Sequence, residues 1–143
     1  MKDILKSLNL PQPAQDFLIM LWHTIQFFDD VVDSDKELDT GQIKGTLIDV
    51  LVRLPLNAFY IQNQASLIPV IANAILTWQA SDLMERNGTA NERSYVWRAS
   101  YYQVVLQVYA LAHGMDNAMA DAEKILNLYG ETYSDYKTEF KIP

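Results

Sequence analysis

The sequence contains no cysteine and only two histidines, His23 and His113, among its 143 residues. The lack of cysteine excludes disulfides, zinc sites built on thiolates and cysteine nucleophiles. Two histidines are also too few for a histidine-rich metal site. A cysteine-free chain agrees with a reducing compartment, and we expect a cytoplasmic protein by default.

Basic side chains are scarce as well, and none of them form a run. Eleven Lys and Arg residues stand against 18 Asp and Glu residues, which gives a net charge of −7. Binding to duplex nucleic acid through its phosphates needs a clustered basic face, so we expect no duplex partner. The N-terminus lacks the apolar core of a signal peptide, and we see no apolar run that approaches a membrane span. We therefore expect no membrane partner.

What the sequence does contain is a globular composition with a helical pattern. Half of its residues are hydrophobic and a fifth are charged, as in folded proteins and unlike disordered ones. Apolar residues recur at spacings of three and four, and no segment alternates as a strand does. We predict an all-α, single-domain bundle of about five helices over residues 1–143. A short lead-in covers residues 1–12, and a tail over 131–143 packs loosely or binds a neighbour.

The first two predicted long helices carry clear apolar stripes. One helix runs from Pro13 to about Asp33, with the stripe Phe17, Leu21, Ile25, Phe28 and Val32. Asp39 or Thr40 caps the next helix, whose stripe is Ile43, Leu47, Val50, Leu51 and Leu54. Each stripe predicts the side of its helix that faces the core.

The third predicted helix starts near Ser66 and ends at Arg86 or Asn87, before Gly88. Its apolar row continues into two acids, in the order Leu67, Ile71, Ile75, Trp78, Asp82 and Glu85. Because carboxylates on the core side of a helix need partners, this row predicts a partner for each acid.

The fourth predicted helix begins at a capping box of Thr89 and Glu92 and ends at His113. Apolar and aromatic residues surround it on all sides, so we predict that it is the most buried helix. Asp116 caps a fifth helix that ends near Gly130.

The acidic stretch at the end of the first long helix is the part of the sequence that suggests chemistry. Asp29, Asp30 and Asp33 have the spacing D-D-x-x-D. Negative charge near a helix C-terminus opposes the helix dipole, and a bound cation would reverse that effect. Mg²⁺ and Mn²⁺ prefer such oxygen ligands. We predict a metal site with these three acids on one wall and Asp82 with Glu85 on the other; the alternative is a solvated polar face.

The stretch from Phe28 to Asp35, FDDVVDSD, resembles the first aspartate-rich motif of trans-isoprenyl diphosphate synthases. In that family D-D-x-x-D binds magnesium and an allylic diphosphate. The resemblance therefore implies Asp29, Asp30 and Asp33 as magnesium ligands facing a diphosphate.

The same acids, taken with Asp82 and Glu85, resemble the all-α nucleoside triphosphate pyrophosphatases of the MazG and dimeric dUTPase type. Those small bundles carry two adjacent acids and a third on one helix, and a paired acid motif on a later helix. The resemblance implies Mg²⁺ or Mn²⁺ as the cofactor and a nucleotide-like substrate.

The loop after Asp33 is a third candidate, for calcium. Acids at Asp33, Asp35, Glu37 and Asp39 alternate as in a calcium-binding loop. Leu38 and Lys44 stand where an EF-hand requires glycine and a closing acid, which leaves only an unspecific acidic loop.

Two functions follow from these observations. The first is metal-dependent binding or hydrolysis of a diphosphate-containing small molecule by the carboxylate cluster. The alternative is a non-enzymatic helical protein that forms homo-oligomers or docks a partner. The sequence leaves open whether the chain is an enzyme.

Overall fold

The computed structural model describes residues 1–34 and 36–143. The described residues form eight helices and no strand, which confirms the all-α class; the predicted count of about five helices was too low. The chain divides into two compact units, Met1–Gln64 and Ala65–Pro143, and each has its own buried residues. Asp35, which belongs to two of the predicted motifs, lies outside the described residues.

Unit 1 contains three helices and the beginning of a fourth. They are α1 (Lys2–Lys6), α2 (Gln12–Asp33), α3 and the first residues of α4. α3 runs as Thr40–Ile48, continues through a π-helical turn, Asp49–Arg53, and ends with Leu54–Leu56.

The local sequence explains where these helices begin and end. Pro13 lies in the first turn of α2, where a missing N–H costs nothing. α2 ends at Ser34, which adopts a left-handed conformation with φ of 55°. The Asp39 carboxylate accepts a hydrogen bond of 3.1 Å from the Gln42 N–H, which confirms Asp39 as the cap of α3.

The core of unit 1 lies between α1, the first half of α2 and the start of α4. The Phe17 ring stacks on Tyr60 at 5.9 Å and tilts against Phe59 at 6.3 Å. The Asn57 amide donates a hydrogen bond of 3.0 Å to the Pro13 carbonyl. Leu5 and Leu8 of the lead-in are buried, so the lead-in is part of this core.

Helix α4 spans Ala58–Arg86 and is bent once. Asn63 has non-helical dihedral angles, φ −119° and ψ 16°, just before the boundary between the two units. The helix predicted from Ser66 is thus the second part of a longer one. Pro69 follows the bend by six residues and lies within the helix.

Unit 2 adds α5 (Glu92–Trp97), α6 (Tyr101–His113), α7 (Met115–Leu126) and α8 (Tyr133–Glu139) to the second part of α4. The predicted single helix up to His113 is therefore two helices, separated at residues 98–100. The predicted cap was also wrong: Asn91 and Ser94 form the capping box, in place of Thr89 and Glu92.

The core of unit 2 is built around α6. Its buried side chains on that helix are Tyr101, Tyr102, Val104, Val105 and Val108, which confirms the central position predicted for this segment. α5 is less buried than predicted, since Val96 is exposed. Tyr136 of α8 is fully buried, so this part of the predicted tail packs into the unit.

Candidate functional site

The acids of the D-D-x-x-D stretch lie in the last turn of α2. α2 extends to Asp33 without a basic residue in that turn. The Asp30 carboxylate lies 3.4 Å from the Lys36 ammonium, and Asp29 and Asp33 also take part in interactions. At least one of the three acidic charges at this helix end is therefore paired with a lysine of the protein itself.

The two acids of α4 lie mostly out of solvent, as the sequence predicted, and each has a partner. The side chains of Asp82 and Glu85 are both 14% exposed. Arg86 Nε lies 2.8 Å from the Asp82 carboxylate, and Arg98 Nε lies 3.6 Å from Glu85. Their negative charge is therefore balanced by arginine.

A metal site needs several such ligands close together. Among residues 1–34 and 36–143, no group of three or more His, Asp or Glu side chains is arranged to hold a metal ion. Asp29, Asp30 and Asp33 belong to unit 1, whereas Asp82 and Glu85 belong to unit 2. The convergence of the two groups stays a prediction.

Arg98 is the centre of a charged cluster in unit 2. Its guanidinium lies within 3.3–3.6 Å of Glu85, Glu131 and Glu139. The same group lies over the rings of Tyr136 and Phe140, at 5.0 and 5.4 Å from their centroids. These contacts join α4, the turn after α5 and the C-terminal segment.

Glu85 connects this cluster to buried hydroxyls. The Tyr136 hydroxyl lies 3.0 Å from Glu85 Oε1 and 2.7 Å from Ser94 Oγ. Ser81 Oγ donates to the Ser94 carbonyl at 2.7 Å. Burial raises the pKa of Tyr136 to about 12, so this hydroxyl keeps its proton at neutral pH. The network satisfies its own polar groups and holds α8 against α4.

Burial raises the pKa of Glu85 above its ordinary value, and Arg98 opposes that rise only in part. The folded state therefore holds this proton more tightly than the unfolded state. The stabilisation from Glu85 is complete below its ordinary pKa of 4.5 and is lost as pH rises through the raised value. We expect the unfolding free energy of the wild type, minus that of Glu85→Gln, to grow as pH falls from 7 towards 4.5. Urea unfolding of both proteins across this range measures the difference. A difference that is flat or shrinks over these pH values contradicts the prediction.

Exposed apolar helix faces form the other notable feature. The predicted stripe of α2 is buried at Phe17 and Leu21, as expected. The same stripe continues to Phe28, which is 51% exposed, and Val32, which is 40% exposed. The second half of the stripe was predicted to face the core, but its residues Phe28 and Val32 are exposed. The buried side of α2 at that level carries Phe27 instead.

α3 is mostly exposed, with Thr46, Asp49 and Leu54 half-buried. None of its three parts contains a buried residue, although its sequence is mostly apolar. Seven of its large aliphatic side chains are between 37% and 71% exposed: Ile43, Leu47, Ile48, Val50, Leu51, Val52 and Leu56. Of the stripe predicted from Ile43 to Leu54, Leu54 is half-buried and the other four residues are exposed.

The second part of α4 has a buried row on one side and exposed aliphatic residues elsewhere on its surface. The buried row is Leu67, Ala74 and Ser81. Ile75, which we predicted in this row, is 57% exposed. Each step of four residues turns the row by about 40°, so the two steps from Leu67 to Ile75 carry it off the buried side. Ile68, Ile75, Leu76 and Leu83 are instead exposed together.

α4 is also long and apolar enough, by length and composition alone, to cross a membrane. Its most apolar 18-residue window has a mean hydropathy of 1.2 and is 17% buried. Our sequence expectation overlooked this window because Asn73 and Gln79 interrupt its apolar residues. One such helix is weak evidence for a span, and the absence of a membrane partner stays a prediction.

Sequence reasoning did not rank Arg98 above the other arginines, and it missed Tyr136. Nothing local marks either residue, since their partners lie in distant segments. The position of Glu85 on the core side of its helix was the available signal for a cationic partner. No family model, no curated protein and no solved structure matches the chain.

Proposed function

We propose that this chain is a non-enzymatic helical assembly protein that associates with copies of itself. The observation that carries the proposal is the stripe of α2, which is core at Phe17 and half-exposed at Phe28. Within three turns this face of α2 changes from buried to exposed. Its second half is therefore an apolar surface that another copy can cover. α3, which contacts α2, adds seven exposed aliphatic side chains to the same unit.

The size of the exposed apolar surface on α3 supports association between copies. The exposed fractions along α3 amount to about three and a half fully solvated aliphatic side chains. Burial of each side chain contributes about 1.5–3 kcal/mol. Since both copies in a contact bury the same surface, the total for the pair is roughly 10–20 kcal/mol. Association costs about 4–15 kcal/mol in lost freedom. The upper part of this gain exceeds that cost, and the lower part meets it over most of its range.

The charges of unit 1 favour a protein surface over an anionic lipid surface. Lys44 and Arg53 are the basic residues of α3, and Arg53 pairs with Asp49 at 3.0 Å. Amphipathic helices that lie on anionic membranes carry many more Lys and Arg residues on their polar side. The acids at the end of α2 add further negative charge to this unit.

We expect the wild type to sediment as an oligomer at micromolar concentration, and Leu47→Gln with Leu51→Gln to raise the dissociation constant at least about tenfold. Both leucines are well exposed, so the substitutions remove apolar contact area without opening a cavity. Sedimentation velocity over a concentration series measures the change. Met119→Gln, at an exposed methionine of α7 in unit 2, is the matched control and should behave as the wild type.

A monomeric wild type at all concentrations would contradict the proposal. The metal hypothesis has its own result in the same samples: Mg²⁺ or Mn²⁺ raises the melting temperature, and Asp30→Asn with Asp33→Asn removes the rise. On the assembly proposal neither ion changes the melting temperature, and the carboxylate variants associate as the wild type does.

A further inference from the structure

We propose that the exposed side of α4 in unit 2 forms a second contact between copies, in which the α4 helices of two chains pack side by side. The proposal rests on the proposed function, since both treat the chain as an assembly protein. It concerns a different helix in a different unit, so the two can fail separately. We call this side of the helix the outer row, and it consists of Ala65, Ile68, Ala72, Ile75, Gln79 and Leu83.

The spacing of the outer row is that of a helix–helix seam. Its successive steps are three, four, three, four and four residues, close to the repeat that keeps one side of a helix against another. Every residue of the row is exposed. The row lies roughly 150° around the helix from the buried row of Leu67, Ala74 and Ser81. One side of α4 therefore packs within unit 2, and the opposite side is exposed to solvent.

The composition of the row suits contact with an identical helix. No residue from Ala58 to Ser81 carries a charge, so two copies of this segment meet without repulsion. Ile68 and Ile75 alternate with Ala65 and Ala72, and the small alanines allow the backbones to approach while the isoleucines fill the seam. Gln79 places one amide in the row, and in a parallel pair it can hydrogen-bond the Gln79 amide of the second copy.

The polar residues of α4 favour contact with the α4 helix of a second copy over insertion into a lipid bilayer. A bilayer surrounds a spanning helix on all sides, whereas a partner helix covers only one. Asn73 is exposed on the side of α4 away from the outer row. In a bilayer its amide would enter the hydrocarbon, and in a helix pair it stays in water.

The contact is short, but the helix is already formed. The row from Ala65 to Leu83 spans about 27 Å at 1.5 Å per residue. A free peptide of this length would lose much of its pairing energy to helix nucleation. Packing of the buried row within unit 2 removes that cost, because the helix is held before association.

Two separate contacts on one chain predict an assembly larger than a dimer. A single two-fold contact closes on itself, whereas a second one on another surface lets each copy hold two neighbours. Blocking either contact should then leave a dimer. Blocking both should leave a monomer.

The test uses the absence of cysteine from the chain. Ile75 lies near the middle of the outer row, so both parallel and antiparallel pairing bring it close to its equivalent in the second copy. We expect Ile75→Cys to form a disulfide-linked dimer under mild oxidation with copper phenanthroline. Asn73→Cys is the control, two residues away on the same exposed helix but on another side, and should crosslink at least about tenfold more slowly.

Ile68→Gln with Ile75→Gln tests the same contact without a crosslink. Glutamine is a good helix former, and both sites are exposed, so circular dichroism should show an unchanged fold. Sedimentation should report a dimer for this variant, a dimer for the Leu47→Gln with Leu51→Gln variant, and a monomer for all four substitutions combined.

The failures of the two proposals differ. If the wild type is a dimer that only the α4 substitutions dissociate, the contact of unit 1 is wrong and the α4 contact stands. If the α4 substitutions leave the assembly unchanged, or Asn73→Cys crosslinks as fast as Ile75→Cys, the α4 contact is overturned. Flotation of a monomeric wild type with phosphatidylcholine vesicles would overturn it too, because α4 would then cover its outer row with lipid.

Discussion

Arg98→Ala is expected to destabilise unit 2 by about 2–4 kcal/mol, one of the two largest effects that we expect from a single substitution. Glu85 is 14% exposed and Arg98 is 25% exposed, so removal of the guanidinium leaves a mostly buried carboxylate without its cation. Breaking a fully buried pair costs about 3–5 kcal/mol, and partial exposure of both groups reduces that value. Loss of the stacking on Tyr136 and Phe140 adds to the effect.

The control is Arg93→Ala. Arg93 lies five residues earlier, in α5, and is exposed; its removal should change the unfolding free energy by less than about 0.5 kcal/mol. Urea unfolding followed by circular dichroism measures both variants. Glu85→Gln placed in the Arg98→Ala background should recover part of the loss, because a neutral amide no longer requires a cation. Equal effects of the two arginine substitutions would show that Arg98 is an ordinary surface residue. A large loss without recovery would show that the Glu85 charge is not its cause.

The Arg98 cluster shows which contacts a single sequence conceals. The sequence indicated that Glu85 lies on the core side of its helix and needs a partner. Glu85 is mostly buried and pairs with Arg98. It could not choose Arg98 from among the arginines, because the acids around Arg98 come from α4 and from the distant C-terminal segment. A helical pattern predicts the side of the helix on which a residue lies. Which helix sides pack against each other depends on the tertiary fold.

Local signals placed two helix boundaries correctly and two caps wrongly: the caps predicted at Thr89 and Asp116 lie at Asn91 and Gly114. Asp39 caps α3 through its own carboxylate, and the left-handed Ser34 ends α2 next to the predicted Asp33. The break at residues 98–100 was missed because its residues are compatible with a helix. The Ser100 hydroxyl instead donates to the Ala74 carbonyl at 2.8 Å, a tertiary contact that local spacing does not reveal.

The apolar stripes were identified correctly as patterns, but their burial was not. Periodicity finds residues that share a helix side, and it carries no information on what covers that side. Phe17 and Phe28 lie on one predicted stripe, yet Phe17 is fully buried and Phe28 is half-exposed. Residues at the start of α4, Phe59 and Tyr60, cover Phe17, whereas at the other end of α2 the neighbouring Phe27 is buried in place of Phe28.

The same two residues give the second large prediction. Phe17→Ala should destabilise unit 1 by about 3–5 kcal/mol, since it removes a fully buried ring that contacts Tyr60 and Phe59 and leaves a cavity. Phe28→Ala should change the unfolding free energy of the monomer by less than about 1 kcal/mol. It should instead weaken self-association at least about fivefold, because the exposed ring contributes only when a second copy covers it.

Urea unfolding at a concentration low enough to hold the chain as a monomer separates the two effects, and sedimentation at high concentration measures association. The substitution is the same at both sites, and both lie on one stripe of one helix, so helix propensity and side-chain chemistry are matched. If Phe28→Ala destabilises the monomer as much as Phe17→Ala does, the second half of α2 is covered within the monomer, and the surface on which the assembly proposal rests does not exist. If it changes neither stability nor association, that surface exists and copies of the chain do not use it. If the first half of the stripe is core and the second half is a contact between copies, Phe28→Ala should give a monomer as stable as the wild type that self-associates more weakly.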